Sequence, residues 1–284
     1  MSLDINQAAA EVTSHKASQC AKRRKPRHRW RDRMLHLITF AAFIGLWYLM
    51  TWKIGALWVS SPMLVVHKIW AGLQDGSVLQ NTWLTTEEAF LGLALGTILG
   101  IISGLLIARS KLASKLLNPY ILGAYSLPRI ALAPFFIIWF GIGLESKVTL
   151  VMSVVIFVVL LNVRQGVETV DNDLVDALRT MRASQWQITR HVVIPTVLPW
   201  IASAIKISVG LALVSAIVSE MMGSTAGLGY SIEYFINNFD MTGAVMTLLV
   251  MAVLAMVLFY MLTWAERRLF AWRGDSERTQ TEAI

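Results

Sequence analysis

Cysteine and charge are both scarce in this sequence. Cys20 is the one cysteine among 284 residues, so no disulfide can form within the chain. Charged residues make up 15% of the chain and hydrophobic residues 56%, whereas a soluble domain carries about 25% charged residues. Apolar runs of about 20 residues recur, which is the length that a helix needs to cross a bilayer. These proportions exclude an ordinary soluble domain and predict one integral membrane domain.

Motifs of catalysis are missing as well. The sequence has no G-x-x-x-x-G-K-[ST] loop for nucleotide phosphates and no H-E-x-x-H zinc motif. Of its five histidines, only His36 touches a predicted membrane span, at the edge of that span. We also predict no paired carboxylates within the membrane, because Glu88 and Glu220 fall near span ends or in external loops. The chain is therefore not expected to be an enzyme or to bind a metal.

The hydropathy pattern predicts an all-α, polytopic membrane protein with six transmembrane helices. The fourth predicted span is short for a bilayer about 30 Å thick. The predicted spans are Met34–Trp52, Glu88–Ala108, Pro119–Gly141, Val148–Val163, Val197–Ser219 and Gly243–Trp264.

Positive charge is distributed unevenly between the loops. Twenty of the 25 Lys and Arg residues lie in the two tails, the loop after the second span and the loop between the fourth and fifth spans. The positive-inside rule places all these regions in the cytoplasm. Residues 1–33 are predicted to be a basic, disordered tail, 34–272 the membrane domain and 273–284 a second tail.

The basic run from Lys22 to Arg33 permits two interpretations. Such a run can bind nucleic acid, but this one adjoins the first span, so it is better explained by membrane orientation. Contact with anionic lipid follows from the same charges. No nucleic-acid partner is expected.

Glycines recur at four-residue spacing in the second span. Gly92, Gly96, Gly100 and Gly104 share one helix face, where the absence of side chains lets another helix approach closely. The spacing predicts a tight helix–helix contact, either within the subunit or between subunits.

Several residues within the spans are candidates for a translocation path. Arg129 is costly at membrane depth unless it faces water or a partner, although it can instead lie shallow and extend to the cytoplasmic face. Lys206 is a second charged candidate, or it pairs with a neighbouring carbonyl. The small face of the fifth span lines a path or packs against another helix; its hydroxyls are Ser208, Ser215 and Ser219.

A patterned, charged stretch separates the fourth and fifth spans. Its apolar residues recur at helical spacing and predict amphipathic helices that rest on the membrane domain: Leu174, Leu178, Met181, Ile188 and Val192. Asn172 or Asp173 is predicted to cap the first helix and Ser184 a second. Pro195 and Pro199 are predicted to end this element and turn the chain into the fifth span. Such a rigid surface element suits a soluble partner.

The same stretch resembles the "EAA…G…I-LP" loop of ATP-binding-cassette importer permeases. Asp176 stands at the Glu of that pattern, Ala177 at its first Ala, and Ile194 with Pro195 at its terminal Leu-Pro. Leu178 replaces the second Ala, and Arg182 replaces the Gly. The segments "ALAPFFIIWFGIG" and "SEMMGSTAGLGY" are similar to the branch that transports sulfonates, taurine, nitrate and similar small solutes.

The resemblance implies a permease subunit of an ATP-driven importer in the bacterial inner membrane. Expected partners are a second copy of the permease, two ATPase subunits that carry ATP and Mg, and an external solute-binding protein. This chain itself would bind no cofactor. The loop 164–196 would couple it to the ATPase through Asp176, Ala177, Arg179, Arg182, Ser184, Ile194 and Pro195. The alternative is an ATP-independent channel or secondary transporter, which typically shows midplane charges or repeated halves.

Overall fold

The computed structural model describes residues 29–55 and 58–269. The chain divides into two compact units, Met1–Lys53 and Ile54–Ile284. Helix α1 (Arg29–Ile54) accounts for the described part of the first unit. Most of the predicted N-terminal tail, residues 1–28, and all of the C-terminal tail lie outside the described residues.

The second unit is helical throughout its described residues. Short turns join its helices, and the all-α prediction is confirmed. The helices are α2 (Pro62–Gln74), α3 (Ser77–Ala108), α4 (Lys111–Ser126), α5 (Ala133–Phe140), α6 (Leu144–Glu168), α7 (Asn172–Thr180), α8 (Gln185–Ile188), α9 (Ile194–Gly223), α10 (Leu228–Asn237) and α11 (Met241–Leu269).

Within residues 29–55 and 58–269, five helical segments are long and apolar enough to cross a membrane, and α4 with α5 makes a sixth if the pair is one span. The predicted third span is therefore broken into two helices that meet at 76°. Leu127 precedes Pro128 and has extended backbone angles, because proline excludes the helical conformation from the residue before it. A 3₁₀ turn over Arg129–Leu132 then leads into α5.

Two predicted spans begin too late. The second predicted span starts at Glu88, but α3 begins at Ser77. The fourth starts at Val148, but α6 begins at Leu144 and runs to Glu168, so this span is not short. The second predicted span starts at the charged residue Glu88 and the fourth just after Lys147, whereas both residues lie inside their helices and pair with each other.

The glycine stripe of α3 packs against α6 within the same subunit. Gly92, Gly96, Gly100 and Gly104 are all buried. A Cβ on Gly96 would come within 2.7 Å of the Val155 Cβ, and one on Gly100 within 2.8 Å of the Ile156 carbonyl oxygen. The third side of this core is α9, which contributes Ala204, Ala212, Leu213 and Ala216. The lack of side chains along one face of α3 lets α6 approach closely.

Pro195 and Pro199 are predicted to end the helix that precedes the fifth span, but in the structure they do not end it. Residues Thr189–Val193 form a π-helical turn that joins α8 to α9 without a break in the chain direction. Pro195 lies in the first turn of α9, where its missing N–H leaves no intrahelical partner unsatisfied. Residues 185–223 consequently form one continuous helical segment.

Candidate functional site

The connection between α6 and α9, residues 169–193, begins with a capped helix. The side chain of Asp171 accepts a hydrogen bond from the Asp173 N–H at 2.9 Å and caps α7. The predicted caps, Asn172 and Asp173, are instead the first residues of the helix. An Asp at this position satisfies one backbone donor that the first turn leaves free.

Arg182 makes the bend after α7. Its φ is 57°, in the left-handed region that non-glycine residues rarely adopt. The Ala183 N–H donates to the Leu178 carbonyl at 3.0 Å, which closes the end of the helix. The resemblance places a Gly at this position, and the backbone conformation explains that preference, because only glycine adopts it without steric cost.

Ser184 and Gln187 fix the start of α8. The Ser184 hydroxyl accepts from the Gln187 N–H, while the Gln187 side chain accepts from the Ser184 N–H at 2.7 Å. This reciprocal capping box is the second cap that the sequence predicts. Ile188 follows on the buried side of α8 and anchors it to the bundle. Ile194 and Pro195, at the end of the pattern, open α9.

The outer surface of the connection carries both charge and apolar side chains. Asp176 and Arg179 form an exposed ion pair at 3.2 Å, and Ala177 is also exposed. Leu174, Met181 and Trp186 are exposed as well, with Met181 77% accessible. The prediction that Leu174 and Met181 rest on the membrane domain is therefore wrong, whereas Ile188 does face the bundle.

The path candidates occupy three different environments. Ser208, Ser215 and Ser219 are fully buried on the face of α9 that packs in the core. The Lys206 ammonium pairs with Glu266 of α11 at 3.1 Å. Arg129 is partly buried, donates to the Ala124 carbonyl at 2.9 Å and lies over the ring of Phe157, near the middle of α6. A path role for these five residues stays a prediction.

Three charged residues at the opposite end of α3, α6 and α9 were missed, and we call them the carboxylate cluster: Glu88, Lys147 and Glu220. Their exposed fractions are 3%, 7% and 0%. The Lys147 ammonium donates to Glu88 Oε1 at 2.5 Å and to the Ser224 hydroxyl at 2.9 Å. The expectation of no carboxylate pair within the spans is wrong, because Glu88 of α3 and Glu220 of α9 are both buried and lie close enough to affect each other's charge.

The hydrogen-bond partners of Glu220 are neutral groups. The Thr85 hydroxyl lies 2.7 Å from Oε1, and the Gly229 N–H donates to Oε2 at 2.5 Å. The sequence signal for this cluster was a set of isolated charges next to long apolar runs. That signal alone does not show which of the charges meet.

Comparison with known proteins identifies the family. The model of the inner membrane component of binding-protein-dependent transport systems matches residues 96–271, more than half of the chain. The chain belongs to this family of ATP-binding-cassette importer permeases. As an importer permease it is a transport subunit of the inner membrane, and separate ATPase subunits hydrolyse ATP.

Individual relatives cover most of the permease. It is 30% identical to SsuC of Bacillus subtilis, a protein named for aliphatic sulfonates transport, over 95% of this chain and 99% of that one. ThiX of Halalkalibacterium halodurans, named for formylaminopyrimidine transport, is 28% identical over 78% of this chain and 91% of ThiX. The solved inward facing MetNI methionine ABC transporter shares the fold, with a TM-score of 0.58 and 23% sequence identity. The match covers 69% of this chain and 95% of the solved chain.

Proposed function

We propose that this permease forms a dimer with a second copy of itself and works with two ATPase subunits and an external solute-binding protein. The complex moves a small solute, such as a sulfonate, taurine or nitrate, into the cytoplasm. The observation that supports this most directly is the surface of the α6–α9 connection. That surface presents an ion pair beside exposed apolar side chains, and it matches the loop through which permeases of this family are expected to meet their ATPase.

The composition of this surface suits a protein partner. Leu174, Met181 and Trp186 project away from the core of the subunit. Exposed apolar side chains bordered by charges are typical of protein interaction sites. Asp176, at the position of the family Glu, adds a fixed ion pair with Arg179 beside them. An ATPase groove that receives α7 would cover these apolar side chains.

The connection is built to transmit force. The capping box at Ser184 fixes the start of α8, and the buried side chain of Ile188 packs α8 against the bundle. From α8 the helix continues through the π turn into α9 and ends at Gly223. A displacement of the connection would therefore move α9 along its whole length, because no flexible loop intervenes.

Charge supports the orientation. Most of the Lys and Arg residues lie in the tails and in loops on the side of the α6–α9 connection. The positive-inside rule places that side, with both termini, in the cytoplasm. The carboxylate cluster then lies toward the outer surface.

The proposed solute class rests on the relatives and on the resemblance to the sulfonate, taurine and nitrate branch. Three relatives are named for the transport of aliphatic sulfonates, formylaminopyrimidine and riboflavin, which are all small polar solutes. Their diversity supports the class of solute and leaves the particular compound to experiment.

Among the path candidates, Arg129 is the best supported. It follows the break between α4 and α5, and its Nε has no hydrogen-bond partner among the described residues. A partly exposed guanidinium halfway along α6 can contact a passing solute. Ser208, Ser215 and Ser219 would do so only if α9 separates from its neighbours, and Lys206 only if it leaves Glu266.

The function is tested with the permease and its ATPase subunit reconstituted in vesicles with the binding protein. Taurine, an alkane sulfonate and nitrate are supplied in turn, and ATP hydrolysis and uptake are measured. We expect one of these solutes to stimulate hydrolysis, and we expect Asp176→Lys to abolish that stimulation while the protein remains in the membrane.

The matched control is Glu145→Lys, which makes the same charge change on an exposed residue in the first turn of α6. This variant should keep the ATPase subunit bound and keep its basal hydrolysis. Full solute-stimulated hydrolysis in Asp176→Lys would rule out the coupling role of this residue. Uptake without any ATPase subunit would favour a channel or secondary transporter.

A further inference from the structure

The carboxylate cluster contains more acidic than basic side chains. Glu88, Lys147 and Glu220 are all at least nine-tenths buried, and they supply two carboxyl groups for one ammonium. Glu87 adds another negative charge near Glu88, and among the described residues Lys147 is the one cation that acts on either carboxyl group. A buried charge without a partner is strongly disfavoured. One positive charge is therefore needed in the cluster besides that of Lys147.

The hydrogen bonds show which carboxyl group lacks a countercharge. The Lys147 ammonium lies against Glu88 and does not hydrogen-bond to Glu220. Glu88 and Lys147 also border a cavity of about 300 Å³, together with Glu87 and Ser224. Glu220 does not line this cavity and is 0% exposed. The charged pair thus lies next to the cavity, while the second carboxyl group has neutral hydrogen-bond partners, Thr85 and Gly229.

The surroundings of Glu220 can accept an acid hydrogen without leaving any group unsatisfied. The Thr85 hydroxyl lies 2.7 Å from Glu220 Oε1 and 3.1 Å from the Asn81 carbonyl, and it accepts from the Leu228 N–H at 2.9 Å. If Glu220 donates to Thr85, the hydroxyl turns its own hydrogen to Asn81. Glu220 Oε2 still accepts from the Gly229 N–H.

We propose that Glu220 is a proton-binding site and is held as a neutral carboxylic acid in the folded permease. The proton lies between Glu220 Oε1 and the Thr85 hydroxyl oxygen, and it neutralises the carboxylate for which Lys147 supplies no countercharge. The acid joins α9 to α3 through Thr85 and to the start of α10 through Gly229. This inference does not depend on the transported solute or on the ATPase.

The test is infrared spectroscopy of the purified permease in lipid nanodiscs at neutral pH, where a protonated carboxyl group absorbs apart from a carboxylate. We expect one buried acid band in the wild-type protein, lost in Glu220→Gln and unchanged in the control Glu145→Gln. Lys147→Met should add a second acid band, because Glu88 then lacks its countercharge. A wild-type spectrum without an acid band that depends on Glu220 would overturn the proposal.

Thermal unfolding supplies a second readout. In Glu220→Gln the amide can donate to Thr85 and accept from Gly229, so its unfolding midpoint should stay near the wild-type value. Glu220→Leu makes neither bond and should lower the midpoint. Equal losses in both variants would contradict the proposal. A wild-type midpoint that rises with added sodium or potassium in the absence of an acid band would show that a metal cation supplies the missing charge instead.

Discussion

The two ends of the α3–α6–α9 bundle differ in whether their charged residues are exposed or buried. At the α6–α9 connection, Asp176 and Arg179 pair at the surface with most of each side chain exposed. At the other end, Glu88 and Lys147 pair inside the subunit. An exposed pair contributes little to stability and remains available to a partner, whereas a buried pair cannot lose one member without a large loss of stability. The first end is therefore suited to docking and the second to holding the helices together.

Lys147→Met should produce the largest effect on stability. It leaves Glu88 buried without its partner, and removing one member of a buried pair costs about 3–5 kcal/mol. The measurement is thermal or denaturant unfolding of the purified permease. Adding Glu88→Leu removes the orphaned carboxyl group and should restore part of the loss. A single variant as stable as the wild type would mean that the pair does not hold this end of the bundle.

Gly96→Leu should have the next largest effect. The new Cβ would lie 2.7 Å from the Val155 Cβ and 3.1 Å from the Met152 carbonyl oxygen. Overpacking of this kind costs about 1–3 kcal/mol or more, so less folded protein should reach the membrane. The control is Gly210→Leu in α9, where nothing lies within 4 Å of an added Cβ. Comparable yields of folded protein from the two variants would show that the stripe is not a tight contact.

Arg182→Gly should give a smaller effect of the opposite sign. A left-handed conformation costs a non-glycine residue roughly 1–2 kcal/mol, and glycine recovers part of that while increasing the entropy of the unfolded chain. We expect the unfolding midpoint to rise slightly or stay constant, and to fall in Arg182→Val. A clear loss of stability in the glycine variant would show that the Arg182 side chain, not its backbone, matters at the bend.

Asp240→Asn should have the smallest effect. Burial raises the pKa of the Asp240 carboxyl, but the hydrogen bond from Lys68, the Gly243 N–H and the charge of Lys68 outweigh burial and hold this pKa below its usual range. Such a carboxyl stabilises the folded state above the unfolded pKa of about 3.9, and the gain is lost as pH falls through the folded pKa. The variant should lose at most about 1 kcal/mol at neutral pH.

The pH profile of unfolding checks this assignment. The difference between wild type and Asp240→Asn should shrink as the pH is lowered through the folded pKa. Lys68→Met should show a similar loss, with no further loss in the double variant. A difference that grows toward acid pH would contradict the sign of the argument.

Sequence reasoning worked best where a local pattern fixes the structure. Four-residue glycine spacing predicted a tight contact on one helix face, and the hydroxyl of Ser184 predicted a helix cap. Both patterns act within a few residues of the chain. The break in the third span follows from Pro128, which excludes the helical conformation from Leu127, although the sequence does not predict the 76° angle.

The carboxylate cluster was not predictable by the same means. Glu88, Lys147 and Glu220 come from three helices far apart in sequence, and each alone resembles the end of a span. The cost of charge in a membrane placed the predicted span ends at or next to these residues, whereas pairing between Glu88 and Lys147 offsets part of that cost. At the connection, the helical periodicity correctly predicted helices, but periodicity alone did not show that Leu174 and Met181 face outward.

Site-directed cross-linking tests most directly which end receives the ATPase. In a Cys20→Ser background, Met181→Cys and Ile142→Cys place single thiols on exposed residues at the two ends, 77% and 71% accessible. Each variant is expressed with the ATPase subunit and treated with a short bifunctional thiol reagent. We predict an adduct with the ATPase subunit from Met181→Cys and none from Ile142→Cys. An adduct from Ile142→Cys alone would contradict the account.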